Sequence, residues 1–393
     1  MQELKKWVWQ SDVYPSFDYH YEEIASKLSA VSRITGKLEY AIHILDRKNI
    51  RNIIIDASTD EIIQSSKIEG EILQRDSVRS SIRKKLYDAF AYEEDCSTRH
   101  TDGLADILID SSFNHSPLTK ERLHGWHNAL FPTGYSGGYK IDVATYRKDE
   151  MQVVSSRGYR EIVHYKAPPP QNVEKQMNEL LAYINHSQED PYIKSAIAHL
   201  WFVAIHPYDD GNGRIARTVA NYVLSKELGL THQYFSISKM IAEYKRAYYD
   251  ILERSNNLIY NRNFDFTEWI GWHTDIVKQS IEYTIGEIEK VVQKAKFWDR
   301  AREKVLNKRQ IKVLNKVLDI DVVEFEGGLS TKKYAAIAKT SIPTAKRDIS
   351  KLVEYGLIKQ VEGSAGRNIK YTINSNEKVE MTDTKSTQSY LQQ

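Results

Sequence analysis

Apolar positions recur at helical spacing through most of the first 300 residues. Ser58-Thr59-Asp60-Glu61 reads as a capping box that opens a helix carrying Ile62, Ile63 and Ile68. Gly70 interrupts that pattern, and Ile72-Leu73 follow it. Val78, Ile82 and Leu86, spaced by four, predict a further helix, and Thr119 to Phe131 predicts another with Leu123, Trp126, His127 and Leu130. One region differs. Gly134 to Gly138 reads as a loop, and then Met151–Val154 and Arg160–Tyr165 are β-prone around a turn at Ser155–Gly158, the signal of a hairpin. Pro168-Pro169-Pro170 ends it, and helix resumes at about Val173. Residues 266–318 read as one or two long helices, with a break at Glu326-Gly327-Gly328. A short helix follows around Tyr334–Ala338, then a second from Ser341, with Pro343 in its first turn, to Gly356. Leu357–Val361 and Ile369–Ile373 read as strands around Gly363–Gly366, and the polar end of the chain reads as disordered.

Composition narrows the class. Hydrophobic residues make up 41% and charged residues 27%, as in an ordinary globular protein. The net charge of +2 argues against a wholly basic nucleic-acid protein and against an acidic disordered chain. Gly and Pro are scarce, which disfavours turn-rich all-β folds. The single cysteine, Cys96, excludes disulfides within the chain and cysteine-based zinc sites. Met1 to Trp7 contains no apolar h-region, so no secretory signal is expected. The longest apolar stretch, Ala196–Ile205, is far short of the roughly 20 residues that span a bilayer. The expectation is a cytoplasmic protein with no membrane partner.

The informative run is His206-Pro207-Tyr208-Asp209-Asp210-Gly211-Asn212-Gly213-Arg214-Ile215-Ala216-Arg217. It follows an apolar helix and precedes another helical pattern, Ile215, Val219, Val223. Gly211-Asn212-Gly213 has little bulk and tolerates positive φ, so successive backbone N–H groups can form an anion nest at a helix N-terminus. Arg214 and Arg217 share a face and suit a polyphosphate. Asp210 supplies the hard oxygen ligand that Mg²⁺ bridging phosphates requires. His206 is the one group of the run able to accept a proton near neutral pH. Asp-Gly-Asn-Gly alone is an ordinary turn. The run lacks the ligand pattern of an EF-hand and the Gly-Lys-Ser/Thr of a P-loop.

This run resembles the signature of the Fic (Fido-domain) family, His-x-Phe-x-(Asp/Glu)-Gly-Asn-Gly-Arg-x-x-Arg. His206, Asp210, Gly211, Asn212, Gly213, Arg214 and Arg217 match, and Tyr208 stands where the family has Phe. Tyr keeps the ring but adds a hydroxyl that needs a partner. The resemblance covers about residues 110–290. It implies a mainly α fold, a Fic-type helical bundle with a β-hairpin flap at Gln152, Val153 and Val154 that docks the target segment. It also implies adenine-pocket residues at Tyr249, beside Tyr248, and at Asn256. Ser65-Ser66-Lys67-Ile68-Glu69-Gly70 resembles the family's inhibitory motif (Ser/Thr)-x-x-x-Glu-(Gly/Asn). Family behaviour implies that Glu69, with Ser65 on the same face, pairs with Arg217 and blocks the cation meant for the γ-phosphate. Trp7-Val8-Trp9 resembles the N-terminal extension of one Fic subgroup.

The C-terminal pattern resembles a winged helix. Residues 301–370 carry 15 Lys/Arg against 8 Asp/Glu, a balance of +7. Lys346, Arg347 and Lys351 would lie on the recognition helix, with Arg367 and Lys370 on the wing. The equal alternative is a protein-interaction winged helix or one packed on the catalytic domain. The expected organisation is an N-terminal helical region with the inhibitory helix over 1–105 and a Fic catalytic domain over 106–295. A winged-helix domain over 300–375 and a disordered tail over 376–393 complete it. The function implied is protein adenylyl transfer from ATP, with Mg²⁺ on Asp210, to a Ser, Thr or Tyr hydroxyl of a target protein or of the chain itself. His206 would be the base, and the nest with the Asn212 side chain would hold the phosphates. Arg214 would bind the β- and γ-phosphate side, and Arg217 the γ-phosphate once Glu69 releases it. The alternatives are de-AMPylation, or a DNA-binding regulator that uses the Fic domain as a nucleotide sensor. The family also suggests a homodimer that regulates the brake.

Overall fold

Helix-forming periodicity in the N-terminal two thirds becomes eleven α-helices among the described residues: α1 (Tyr21–His43), α2 (Arg47–Ile68), α3 (Arg75–Tyr87), α4 (Arg99–Phe113), α5 (Lys120–Leu130), α6 (Pro170–His186), α7 (Pro191–Ile205), α8 (Asn212–Glu227), α9 (Ile237–Glu243), α10 (Lys245–Asn256) and α11 (Thr267–Ala301). Two antiparallel hairpins lie between α5 and α6: β1 (Tyr135–Ser136) with β2 (Tyr139–Lys140), and β3 (Gln152–Arg157) with β4 (Arg160–Lys166). The structure is a computed structural model that describes residues 5–87, 95–157, 160–228, 234–319, 328–365 and 369–374. It divides into two units, Met1–Ile285 and Gly286–Gln393. Gly158, Glu326-Gly327, Arg367 and the tail over 376–393 lie outside the described residues.

Two expected helix starts are corrected. The capping box at Ser58 does not open a helix. Asp46 caps α2, its carboxylate accepting the Asn49 N–H at 2.7 Å, so Ser58 to Glu61 lie in the middle of the helix and are buried. The acceptor chemistry of Glu61 serves another helix instead. Its carboxylate takes the Ser236 hydroxyl at 2.7 Å, the Ser238 hydroxyl at 2.5 Å and the Ser238 N–H at 3.0 Å, at the start of α9. Asp60 next to it binds Arg75 at 2.5 Å and Lys239 at 2.7 Å. These bonds fasten α2 to α3 and α9 and so fix where its C-terminal turn falls. The second correction is at α6, which starts at Pro170 and not at Val173. Proline suits the first helical turn because its missing N–H has no partner to lose there.

The core of the first unit centres on α7. Ile193, Ala196, Ala198, Leu200, Phe202, Ala204 and Ile205 are all buried, so this helix is covered on every side. Trp269 of α11 donates its indole N–H to the Ala196 carbonyl at 2.8 Å. The N-terminal segment meets the root of the β3–β4 hairpin. Trp7 packs edge-on against Tyr165 with ring centroids 5.4 Å apart, and Trp9 donates to the Lys166 carbonyl at 2.7 Å. Gly134–Gly138, expected as a loop, closes as the β1–β2 hairpin, with Gly137 and Gly138 at positive φ in its turn.

The second unit contains α12 (Lys308–Asp319), α13 (Thr331–Ala338), α14 (Ile342–Glu354), β5 (Ile358–Gln360) and β6 (Tyr371–Ile373). Leu329 bridges to Tyr371 beside the β5–β6 pair. Its core includes Phe297, Val313, Leu314, Tyr334, Ile349, Leu352 and Leu357. Asp348, buried on α14, is satisfied by Arg309 at 2.9 Å, Asn307 at 3.0 Å and Tyr334 at 3.2 Å. Among the described residues no helix is long and apolar enough to cross a membrane.

Candidate functional site

The site is built on the end of α7 and the start of α8. Asp190 caps α7 by accepting the Tyr192 N–H at 2.9 Å, and Pro191 occupies its first position. The helix ends at His206 in the left-handed conformation, φ 51° and ψ 61°. A non-glycine residue there is strained and persists only when its surroundings hold it. Beyond it, Tyr208 is fully buried. Its ring stacks on His127, centroids 4.1 Å apart and planes at 8°. The hydroxyl that distinguishes Tyr from Phe meets His124 Nδ1 at 3.0 Å, so the extra polar atom has its partner. Gly211 has φ +80°, and a Cβ there would lie 2.7 Å from Leu130 and 2.8 Å from Phe131. Only glycine fits both the backbone angle and the space.

Asn212 acts differently from the expectation. Its Oδ1 accepts the Tyr208 N–H at 2.9 Å and its Nδ2 donates to the Tyr208 carbonyl at 2.7 Å. Both ends of the side chain thus close the loop on itself, which leaves its backbone N–H, and not its amide, for an anion. The first-turn N–H groups of α8 have no intrahelical acceptor, and the positive end of the helix dipole lies at the same point.

Charged groups converge there. His206 Nδ1 contacts the Val203 carbonyl at 3.2 Å, which assigns the ring proton to Nδ1 and leaves the Nε2 lone pair free. Burial pushes its pKa down to about 4, so the ring is neutral at pH 7. Asp210 accepts the Ser136 hydroxyl and, at 2.5 Å, the Gly211 N–H. Arg217 is wholly buried. Its Nε donates to Ser65 Oγ at 3.0 Å, and its Nη2 to Ser65 O and to Glu69 Oε1, each at 2.9 Å. Nη1 is buried with no hydrogen-bond acceptor among the described residues. The Glu69 carboxylate also presses on the nest, since a Cβ on Gly213 would lie 2.3 Å from Glu69 Oε1. Arg214 is held in the same way, by Glu71 Oε2 at 2.9 Å, with its guanidinium over the Phe131 ring. Glu71 also bonds His100 Nε2 at 2.7 Å. That hydrogen bond, with the charges of His100 and Arg214 behind it, holds the Glu71 carboxyl below the usual range.

The structure therefore gathers His206, Asp210, Gly211, Gly213, Arg214, Arg217, Ser65 and Glu69 around one helix N-terminus. Tyr249 joins them at the edge, its hydroxyl donating to the Ile68 carbonyl at 3.2 Å. Asn256 turns inward and donates to the Leu252 carbonyl at 2.9 Å on its own helix. Gln152, Val153 and Val154 lie exposed on β3, with a register shift between the two valines. His164 of β4 links to Glu253 of α10 at 3.0 Å and to the Ser155 hydroxyl at 2.6 Å.

Four participants were not identified from the sequence. Glu71 lies two residues past Glu69, and its spacing was a usable signal. His127 accepts the Ala144 N–H on Nδ1 at 3.0 Å, so its Nε2 proton faces the Asp210 carbonyl at 3.1 Å. Burial pushes its pKa to about 4, which keeps it a neutral support of the loop. Ser136 and Arg147 carry no sequence signal, because their partners are far away along the chain.

Comparison with known proteins adds the following. Residues 117–224 match the Fic/DOC family, and residues 7–87 match a domain of unknown function, DUF4172. A uridine 5'-monophosphate transferase of Xanthomonas campestris is 27% identical over 119 residues, 28% of this chain and 22% of that protein. A probable protein adenylyltransferase of Aquifex aeolicus is 25% identical over 139 residues, 35% of this chain and 39% of that one. The chain thus spans well under half the length of either relative. The solved structure of a Fic family protein from Desulfovibrio desulfuricans superposes with a TM-score of 0.54 at 18% identity, over 93% of this chain and all of that one, which shows a shared fold.

Proposed function

We propose, from the match of residues 117–224 to the Fic/DOC family and the shared fold, that this chain transfers AMP from ATP to a Ser, Thr or Tyr hydroxyl of a protein. One observation carries this reading. A carboxylate, Glu69, is seated against Gly213 at the N-terminus of α8 and neutralised by Arg217. An anion already occupies the place where helix dipole, free amides and guanidinium groups favour one. A nucleotide phosphate is the larger anion that such a seat, with two arginines, suits.

His206 Nε2 would take the proton of the target hydroxyl. The hydroxyl oxygen would form a bond to the α-phosphorus as the bond from that phosphorus to the β-phosphate oxygen breaks, and pyrophosphate would leave. The first-turn amides of α8 with Arg214 and Arg217 would bear the phosphate charge, so the rate gain comes mainly from groups already oriented. Among the described residues no three His, Cys, Asp or Glu side chains cluster as a metal cage. Asp210 alone fits Mg²⁺ held mostly by phosphate oxygens and water. When bound, that ion would neutralise charge on the departing pyrophosphate. The exposed edge of β3 would take the target segment as an added strand. The wild-type protein would be braked, because ATP must displace Glu69 from Arg217 and Glu71 from Arg214. The one exposed thiol, Cys96, is consistent with work in a reducing, cytoplasmic compartment.

The test is label transfer by the Glu69→Gly protein with Mg²⁺ and a cell lysate. Label from α-labelled ATP is expected on protein, and label from γ-labelled ATP is not. Transfer from α-labelled UTP in preference to ATP would reassign the nucleotide. Transfer of the γ-label would sink nucleotidyl transfer. Glu69-dependent release of AMP from a modified protein would instead assign the reverse reaction.

A separate observation favours DNA as a second partner. Lys346, Arg347 and Lys351 stand exposed on α14, on the side away from Ala345, Ile349 and Leu352. We read the second unit as a winged helix that presents this face to the major groove. Binding to duplex DNA should weaken steeply with salt and be lost in Lys346→Glu/Arg347→Glu. Salt-independent or unchanged binding would refute that role.

A further inference from the structure

We propose that Arg147 is the positioning residue of His206, gripping the end of α7 and the root of the β3–β4 hairpin so that the base and the docking hairpin move as one piece. The inference rests on the reading of His206 as the base.

Arg147 is 3% exposed, and all its hydrogen bonds go to main-chain carbonyls. Nε donates to His206 O at 2.8 Å and Nη2 to Ile205 O at 3.4 Å. These carbonyls end α7, where intrahelical donors run out and the helix dipole is negative, so a cation is favoured there. Nη2 also donates to Pro168 O at 2.5 Å, and Nη1 to Asp149 O at 2.8 Å. Asp149 precedes β3 and Pro168 follows β4, so the same guanidinium holds both legs of the hairpin. The Arg147 N–H completes the grip on Pro207 O at 2.9 Å.

Three features set this apart from a generic strut. First, among the described residues no carboxylate pairs with this buried cation. A buried charge without a paired counter-ion is costly, and here carbonyl dipoles at hydrogen-bond distance offset it, with the more distant Asp209 and Glu150 carboxylates adding to them. Second, the residue it holds is the strained one. The left-handed backbone of His206 must be maintained from outside, and Arg147 binds its carbonyl directly. Third, reaching two elements at once requires the planar fork of arginine. Lysine would place one point charge and could serve only part of the set. Arg147 touches neither the α8 amides nor Arg214 or Arg217, so its effect should fall on the chemical step and not on ATP binding.

The test uses the full chain carrying Glu69→Gly, with kcat per folded molecule and KM for ATP measured beside thermal melts. Arg147→Met is expected to lower kcat about 10²-fold, the cost of a base displaced by about 1 Å, with KM for ATP unchanged. Arg147→Lys should recover about a tenth of the parent rate. A folded Arg147→Met protein with parental kcat, or a loss confined to KM for ATP, overturns the proposal. If Arg147→Met fails to fold, Arg147→Lys decides, and parental kcat there also overturns it. Transfer by the parent that survives His206→Ala would sink the base assignment itself, a result distinct from any Arg147 outcome.

Discussion

Glu69→Gly is expected to raise AMP transfer roughly 10- to 100-fold. In the wild-type fold Arg217 is wholly buried and its Nη2 is bound to Glu69. A nucleotide that needs this guanidinium must first break a charge-assisted hydrogen bond worth roughly 1.5–3 kcal/mol, and each 1.36 kcal/mol is tenfold in rate. It must also displace a carboxylate that lies against Gly213, at the N-terminus of α8. Removing the side chain ends both obstacles. The change leaves the buried Arg217 without its carboxylate partner and should lower stability, but the fold should persist because the α2 helix is fastened elsewhere, by Asp60 on Lys239 and Arg75 and by Glu61 on Ser236 and Ser238. Arg217 keeps its bonds to Ser65. Activity of the variant at the wild-type level would mean that the pair does not limit transfer.

His206→Ala, in that activated background, is expected to lower transfer by about 10²- to 10⁴-fold, the usual contribution of a positioned general base. ATP binding should persist, since the amides and arginines of α8 are untouched. The pH dependence has a definite sign. Burial lowers the His206 pKa from its ordinary value to about 4. The neutral ring, which is the base, therefore persists as pH falls through 6.5, and the acid limb of kcat/KM is expected near pH 4. A limb near 6.5 would contradict this lowered pKa.

The chemistry was legible where it is local. His206 to Arg217 packs an imidazole, two carboxylates, two glycines and two arginines into twelve residues, and α8 starting at Asn212 places them around one helix end. The hairpin at 152–166 was legible from two β-prone stretches, but Ser155–Arg157, expected as its turn, continue β3 because each pairs with β4. Long-range partners were not. Glu71 and Arg214, 143 positions apart, meet only through the packing of α2 on α8. Ser58 to Glu61 misled because acceptor residues cap helices by local pattern. Here burial against α9 decided their role, with Glu61 serving Ser236 and Ser238. Asn212 has the composition of a phosphate ligand, and yet four positions back Tyr208 offers both a donor and an acceptor to its amide. Arg147 stands in a polar run, Tyr146-Arg147-Lys148-Asp149-Glu150, where nothing marks it as the one that is buried.

The most direct measurement is transfer from α-labelled ATP by three proteins side by side: wild type, Glu69→Gly, and Glu69→Gly with His206→Ala. Faint label is expected for the first, strong label for the second and none for the third. Equal label on all three, or none on any with a lysate supplying targets, would contradict that expectation.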